Sequence, residues 1–371
     1  MEKGEMMGKP KLILIGGFLG AGKTTLLSMA AHFLQSQAKK VGLITNDQAA
    51  GLVDTQILEF SGFNVEEVSG SCFCCDFNGF HNAINNLLED FKCDVILAEP
   101  VGSCTDLYAT LIRPLQSMFS EQLDVAPLFV LVDPFKLLKT MNENGTEEGP
   151  GYIYLKQLEE ADHLIINKID LLKAKDKRKI QELLETQFSA HPVHWISAKK
   201  GAGVEKLSTE TFLDSDTYRN ALTKVDYNTY AIGEAQMGWY NATFMVESTE
   251  NKQVDWMQFN QMFLTVFQQV FNYEKIDLNH LKIFMKNGSS HVMGNIIDAR
   301  EISVRGEYFC SKSTRMVLNI RAETSHQLIY EIVRDVVEMF EDHSLKFKVV
   351  TEKHLTPGYP NPTYRFNETT T

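Results

Sequence analysis

The chain predicts an α/β fold: a parallel sheet flanked by helices, followed by a smaller α+β domain of ferredoxin-like type. Three observations carry that expectation. Short apolar runs alternate with helical patterns from Lys11 to about Phe212, the order of a parallel sheet with covered faces. The loop Gly17-Phe18-Leu19-Gly20-Ala21-Gly22-Lys23-Thr24 joins the first run to the first helical pattern and fits GxxxxGK[ST], the strand–loop–helix of P-loop NTPases. Beyond a polar stretch at Asp214–Thr229 the order changes to β-α-β-β-α-β, as in ferredoxin-like domains.

The strand candidates of the first part are Leu12–Ile15, Val41–Thr45, Val65–Val68, Val95–Ala98, Leu128–Val132, Leu164–Ile166 and Val193–Ile196. Most are short apolar runs with little polar alternation, as in strands buried on both faces. Phe77–Phe91 is the clearest helix, because Phe80, Ile84, Leu87, Leu88 and Phe91 recur on one face. Asn142–Gly151 reads as a polar insertion expected to be mobile, and Asp214–Thr229 as a linker between domains at 1–213 and 230–371. In the second domain Trp239–Val246, His280–Met285, Met316–Arg321 and Leu345–Val350 read as strands. Trp256–Phe271 and Ser325–Phe340 read as its helices. The tail Pro357–Pro362 is too rich in proline for regular structure and is expected to be extended.

Composition narrows the function classes. The 371 residues exceed the ~250–300 that one core supports. A net charge of −12 spread along the chain argues against a nucleic-acid or anionic-membrane surface. No apolar run approaches the ~20 residues of a membrane span, and no secretory pattern opens the sequence. Six cysteines, three of them within four positions, fit reduced thiols better than a disulfide framework, so a cytoplasmic protein is expected.

The glycine-rich loop points to a nucleoside triphosphate. Gly17, Gly20, Ala21 and Gly22 let the backbone N–H groups turn toward phosphate oxygens, and the helix opened by Lys23, Thr24 and Thr25 adds its positive end. Lys23 is expected to reach the β- and γ-phosphates, and Thr24 to give its hydroxyl to Mg²⁺. Asn167-Lys168-Ile169-Asp170 follows the strand ending at Ile166 and fits NKxD. There an Asp carboxylate accepts two hydrogen bonds from guanine, a pair that adenine does not offer, and sites built this way reject the wrong partner by ~10⁴–10⁵. Ser197-Ala198-Lys199 after the next strand supplies a second base loop. GTP is therefore expected over ATP.

For hydrolysis the candidates are Lys23, Asp47 and Glu99. Glu99 ends a core strand and opens Glu99-Pro100-Val101-Gly102, placing the Gly102 amide to sense the γ-phosphate. Asn46, Asp47 and Asp54 follow the second strand. Either acid is a candidate for Mg²⁺ or the attacking water, with helix capping and turn chemistry as the alternative. With no evident arginine finger, turnover is expected to be slow, roughly 10⁻⁴–10⁻² s⁻¹.

Cys72-Phe73-Cys74-Cys75 lies in a turn before the Phe77 helix. Thiolates select soft or borderline ions such as Zn²⁺ or Co²⁺, and three sulfurs leave a fourth position for a carboxylate, water or transfer partner. A structural zinc completed elsewhere, a redox pair and inert buried thiols are the alternatives. Cys104, shortly after Gly102, reads chiefly as a small buried hydrophobe, with an approach to the cluster in one nucleotide state as the second reading. Cys93 and Cys310 read as core.

In this combination the chain resembles the CobW-type branch of the CobW/HypB/UreG class of P-loop GTPases over residues ~11–212. The resemblance rests on Gly17–Thr24, Cys72-Phe73-Cys74-Cys75, Glu99–Gly102 and Asn167–Asp170. It implies a GTP-dependent metallochaperone in which Cys72, Cys74 and Cys75 bind metal and GTP state controls its release. It also implies a client metalloprotein or corrinoid protein as partner, with oligomers possible. Corrinoid-enzyme activation, or a regulatory GTPase with a structural zinc, is the alternative. The chain departs from the family pattern at Gly70-Ser71-Cys72, Glu99-Pro100-Val101-Gly102 and Asn46-Asp47, where Gly-Gly-Cys, Glu-Thr-Ser-Gly and Asn-Glu are usual. It also lacks a His-rich stretch. The metal and client stay open.

Overall fold

The computed structural model describes residues 8–47, 53–142, 147–219, 222–297 and 301–366. The chain divides into two compact units: residues 1–48, 58–227 and 360–371, and residues 49–57 with 228–359.

The first unit is a parallel sheet of β1 (Lys11–Gly16), β2 (Val41–Asp47), β3 (Asn64–Ser69), β4 (Val95–Ala98), β5 (Asp124–Val125), β6 (Phe129–Val132), β7 (His163–Ile166) and β8 (Val193–Trp195). The order is β3-β2-β4-β1-β6-β7-β8, with the two-residue β5 also paired to β1. Parallel neighbours need crossovers, here supplied by helices including α1 (Lys23–Ser36), α2 (Val53–Phe60) and α3 (Phe77–Glu89). The candidate site residues sit at or just beyond the carboxyl ends of β1, β2, β3, β4, β7 and β8, apart from Asp54 within α2. This is where open α/β sheets bind ligands. On α1, Leu26, Leu27, Ala30, Ala31 and Leu34 are buried and join a core with Ile13, Leu43, Leu97, Leu131 and Ile165.

The expected helix over Phe77–Phe91 ends earlier. Lys92 adopts a left-handed φ of 52° to turn the chain into β4, leaving Phe91 42% exposed. The polar insertion is also shorter than expected: a helix begins at Gly149, while residues 143–146 lie outside the described residues. The expected linker runs into a helix at Tyr227–Ala235.

The second unit contains a six-stranded antiparallel sheet. Its spatial order is Glu301–Gly306, Ser290–Ile297, Leu278–Asn287, Ser313–Ala322, Gly238–Ser248 and Leu345–Leu355. The last four strands have the ferredoxin-like arrangement, and the first two extend its edge. The two helices Trp256–Tyr273 and His326–Glu341 pack on it. Phe259, Phe263, Phe267 and Phe271 recur every fourth residue and fill that core. Asp255 caps one helix by accepting from the Met257 and Gln258 amides, and Ser325 caps the other through Leu328. The sequence reading missed Ser290–Ile297 and Glu301–Gly306, the second of which is mostly half-exposed or exposed. No described helix is long and apolar enough to cross a membrane.

Candidate nucleotide loop and thiol cluster

Gly17, Gly20 and Gly22 take left-handed φ values of 132°, 78° and 99°, which side chains disfavour. Space forbids a side chain as well: a Cβ on Gly17 would lie 2.4 Å from the Leu131 carbonyl oxygen, and one on Gly22 2.7 Å from Asn167 Nδ2. Helix α1 starts at Lys23, so the first amides of Lys23, Thr24 and Thr25 form its positive end. Lys23 Nζ donates to the Gly17 carbonyl at 2.8 Å, bending across its own loop. Thr24 Oγ1 donates to the buried Glu99 carboxylate, 3.1 and 3.2 Å from its two oxygens. Gly102 packs so tightly on the phosphate loop that a Cβ would meet Leu19 N at 3.0 Å. The loops after β1 and β4 therefore share one small volume.

Asn167 ties the base loops to the phosphate loop. Its Nδ2 donates to the Ala21 carbonyl at 2.8 Å, and its Oδ1 accepts from the Ala198 amide at 2.9 Å. Asp170 accepts from the Ser197 hydroxyl at 2.6 Å. Lys168 has a left-handed φ of 57° and pairs with buried Asp133 at the end of β6. Lys199 is exposed beside them in sequence. Sequence reasoning missed Asp133 because an Asp preceding Pro134 and a helix reads as an ordinary cap. It does cap that helix, accepting from Phe135 N at 2.8 Å.

Asp47 ends β2 and its carbonyl accepts from the Gly70 amide at 3.0 Å. Residues 48–52 lie outside the described residues. Asp54, in α2, belongs to the second unit, where Lys282 Nζ donates to both its oxygens at 2.7 and 2.5 Å. A metal at Asp54 competes with that ammonium.

The Cys72, Cys74 and Cys75 sulfurs lie within 4.8 Å of one another, with Cys72 and Cys74 Sγ 2.9 Å apart. A tight turn makes this convergence, since the Cys75 and Asp76 amides both donate to the Cys72 carbonyl. Asp76 then caps α3 through the Gly79 amide at 2.9 Å. Asn46, buried beside Asp47, suspends the turn: its Nδ2 donates to the Val68 and Ser71 carbonyls, and its Oδ1 accepts from the Phe73 amide. Cys104 is buried, and its thiol hydrogen-bonds Cys72 and Cys74. Hydrogen bonds from Cys104, Cys74 and Cys75 push the Cys72 thiol strongly down. The same contacts, led by Cys104, push Cys74 up. Cys75 rises to about 11, chiefly through Cys72. Cys93 is buried as expected, whereas Cys310 is exposed, its Sγ 3.0 Å from Tyr308 Oη.

The tail returns to this loop within the first unit. Thr363 donates its amide to the Cys74 carbonyl at 2.8 Å and its hydroxyl to the Cys75 carbonyl at 3.1 Å. Tyr364 meets Phe77 edge-on at 5.0 Å, and Arg365 Nε donates to Asp106 at 2.6 Å. Asp106 is buried with a left-handed φ of 65° and also accepts from Tyr227 Oη. Burial raises its carboxyl and Arg365 opposes that rise. Beside it, fully buried Glu160 accepts from Thr105 Oγ1 and the Tyr108 amide. Burial, then Asp106, pushes Glu160 up to about 8.

Residues 11–194 match the family described as CobW/HypB/UreG, nucleotide-binding domain. Zinc chaperone YeiR of Escherichia coli (strain K12) is 30% identical over 176 residues, 45% of this chain and 49% of the relative. Zinc chaperone CobW of Sinorhizobium sp is 27% identical over 223 residues, 52% of this chain and 60% of the relative. The chain thus spans about half to three fifths of the length of these curated relatives. The solved Zn(II)-bound YjiA GTPase from E. coli is 14% identical, covering 89% of this chain and 99% of that one, with a TM-score of 0.37. Residues 11–194 are thus similar to the nucleotide-binding domain of the CobW/HypB/UreG class, and the curated relatives that the chain resembles, zinc chaperones YeiR and CobW, point to its CobW-type branch.

Proposed function

We propose that the protein is a GTP-hydrolysing metallochaperone that carries a thiophilic divalent ion, zinc first and cobalt second, on Cys72, Cys74 and Cys75. The observation that carries this reading is Asn46. One side chain at the end of β2, next to Asp47, makes three hydrogen bonds to the backbone that positions the thiols. A displacement at the nucleotide end of β2 is thereby passed to the sulfur cluster.

The residues fit the groups they would hold. The left-handed glycines and the α1 N-terminus form a cradle for phosphates. The Thr24 hydroxyl and Glu99 carboxylate converge as oxygen donors suited to Mg²⁺. The ion, when bound, neutralises charge on the phosphates. Lys23 neutralises phosphate charge, Glu99 orients Thr24 and with Asp47 is the candidate to position water, and the Gly102 loop senses the γ-phosphate. Asp170 selects guanine, while Asn167 holds the base loops against the phosphate loop. Thiolate donors suit Zn²⁺ or Co²⁺ over Mg²⁺, and a reducing, cytoplasmic compartment keeps them available. Delivery is to a client metalloprotein or corrinoid protein.

The test is Zn²⁺ affinity, by competition with a chromophoric chelator, with a non-hydrolysable GTP analogue, with GDP and without nucleotide. The reading expects a difference of at least about tenfold between the GTP and GDP forms, 1.4 kcal/mol of coupling. Equal affinity in all three overturns it.

A further inference from the structure

We propose that Cys104 is the fourth sulfur of the metal site, closing Cys72, Cys74 and Cys75 into a four-thiolate cage. The inference rests on the reading of the cluster as a metal site and adds a ligand from a different loop. Three thiols come from the turn after β3, whereas Cys104 comes from the loop after β4 that begins with Glu99 and Gly102.

Three features support the assignment. The Cys104 thiol is in hydrogen-bonding contact with Cys72 and Cys74, and because the sulfurs grouped mutually within 4.8 Å are those of Cys72, Cys74 and Cys75, Cys104 turns toward them to complete the set. Its backbone is fixed: Gln157 Nε2, itself buried, donates to the Cys104 carbonyl at 2.7 Å and the Gly102 carbonyl at 3.0 Å. The Cys104 amide also donates to Val101, closing a turn. Finally, Cys104 is 1% exposed and Cys74 4%, leaving little access for a water ligand on their side of the cluster. Four sulfurs match tetrahedral zinc, and metal binding releases whatever protons the thiols still carry.

The experiment uses the full chain, reduced and nucleotide-free. X-ray absorption at the zinc edge counts sulfurs without any substitution: four at ~2.3 Å are expected, and three sulfurs plus a light-atom ligand overturn the proposal. In parallel, Co²⁺ is titrated into the wild-type protein and Cys104→Ser. The sulfur-to-cobalt charge-transfer absorption is expected to fall by about a quarter, one bond of four. Zn²⁺ affinity is expected to fall at least about tenfold, since even outer partners of metal ligands change affinity by 10–100-fold. Identical cobalt spectra in the two proteins overturn the fourth ligand while leaving the carrier reading intact. Failure of the wild-type protein to take up either ion overturns both. Circular dichroism of Cys104→Ser separates ligand loss from unfolding, and the zinc-edge count decides the matter where that variant does not fold.

Discussion

The Asn46 carboxamide oxygen accepts the Phe73 amide hydrogen at 2.9 Å, joining the last turn of a core strand to the middle of the thiol loop. The same side chain donates to Val68 and Ser71, so both its N–H donors and one lone pair of its oxygen serve that loop. Asn46→Ala leaves two buried backbone groups and one partly buried one without this partner. The expected result is a loss of about 1–3 kcal/mol in unfolding free energy, together with weaker Zn²⁺ binding. Denaturant titration and chelator competition measure the two effects. Unchanged zinc affinity in a folded Asn46→Ala protein would show that the loop holds its shape without Asn46.

Thr24 and Glu99 share one hydrogen, 3.1 and 3.2 Å from the two carboxylate oxygens. Glu99→Gln keeps the size but removes the charge and basicity. Nucleotide binding is expected to persist, while phosphate release slows by about 10²-fold or more, the usual scale for a lost acid–base or water-positioning group. Fluorescent-nucleotide affinity and single-turnover phosphate release separate the two quantities. A normal rate assigns the water to another acid, with Asp47 next to test.

Asp170 has one oxygen committed to Ser197 Oγ at 2.6 Å. Asp170→Asn exchanges an acceptor for a donor where guanine presents N–H groups. GTP affinity is expected to fall by about 10²-fold or more, because a carboxamide NH2 facing the guanine N–H groups replaces a hydrogen-bonded pair with a mispaired one. Xanthosine triphosphate, with a carbonyl that accepts from the new carboxamide NH2 in place of the exocyclic amine, is expected to bind Asp170→Asn more tightly than it binds the wild-type protein. Equal losses for both nucleotides would place Asp170 in loop support alone.

The phosphate loop, both base loops and the thiol turn are legible in the sequence because each is a contiguous run with a fixed spacing. Residues that act across the fold are not. Cys104 is 29 positions beyond Cys75, and a single buried thiol reads as packing until the loops after β3 and β4 are brought together. Asn46 reads as part of an Asn-Asp pair, with no sign that its partners lie at Val68, Ser71 and Phe73. Asp106 and Arg365 are separated by 259 residues. Glu160 belongs to no motif, yet the fold buries it completely. In the second unit the missed strands are an edge hairpin: Ser290–Ile297 alternates in burial, but its inward set includes Gly294 and its outward set Met293 and Ile297, so the residue types do not alternate, and Glu301–Gly306 has no buried position at all.

Glu160 makes stability pH-dependent with a definite sign. Its folded carboxyl titrates near 8 against an ordinary value of 4.5. Between those values the folded state keeps a proton that the unfolded chain has shed, so stability from this group falls as pH rises, by up to about 1.4 kcal/mol per unit. Below 4.5 and above 8 the contribution is flat. Glu160→Gln retains an acceptor and a donor but cannot ionise, and its denaturation midpoint is expected to lose this slope. Chemical denaturation at pH 5.5, 7 and 8.5 makes the comparison. Parallel pH profiles for both proteins would mean that the donors at Thr105 and Tyr108 hold the carboxylate ionised after all.

Arg365 completes the charge balance around Asp106, whose carboxylate is 1% exposed while the Arg365 side chain is 34% exposed. Removing a cation from a buried acid leaves an uncompensated charge, commonly a loss of 3–5 kcal/mol, and solvent at the guanidinium reduces this to about 2 kcal/mol here. Arg365→Ala is therefore expected to lower stability by about that amount and to loosen the tail from the thiol loop. Thr363→Val isolates the second effect, since it removes only the hydroxyl bond to the Cys75 carbonyl and keeps the amide bond to Cys74. Proteolysis at the tail should quicken in Arg365→Ala and little in Thr363→Val, while exchange of the Cys75 region, followed by hydrogen–deuterium mass spectrometry, should rise in both. If Arg365→Ala leaves stability and tail protection unchanged, Tyr227 alone satisfies Asp106 and the tail is held by its backbone bonds and by Tyr364.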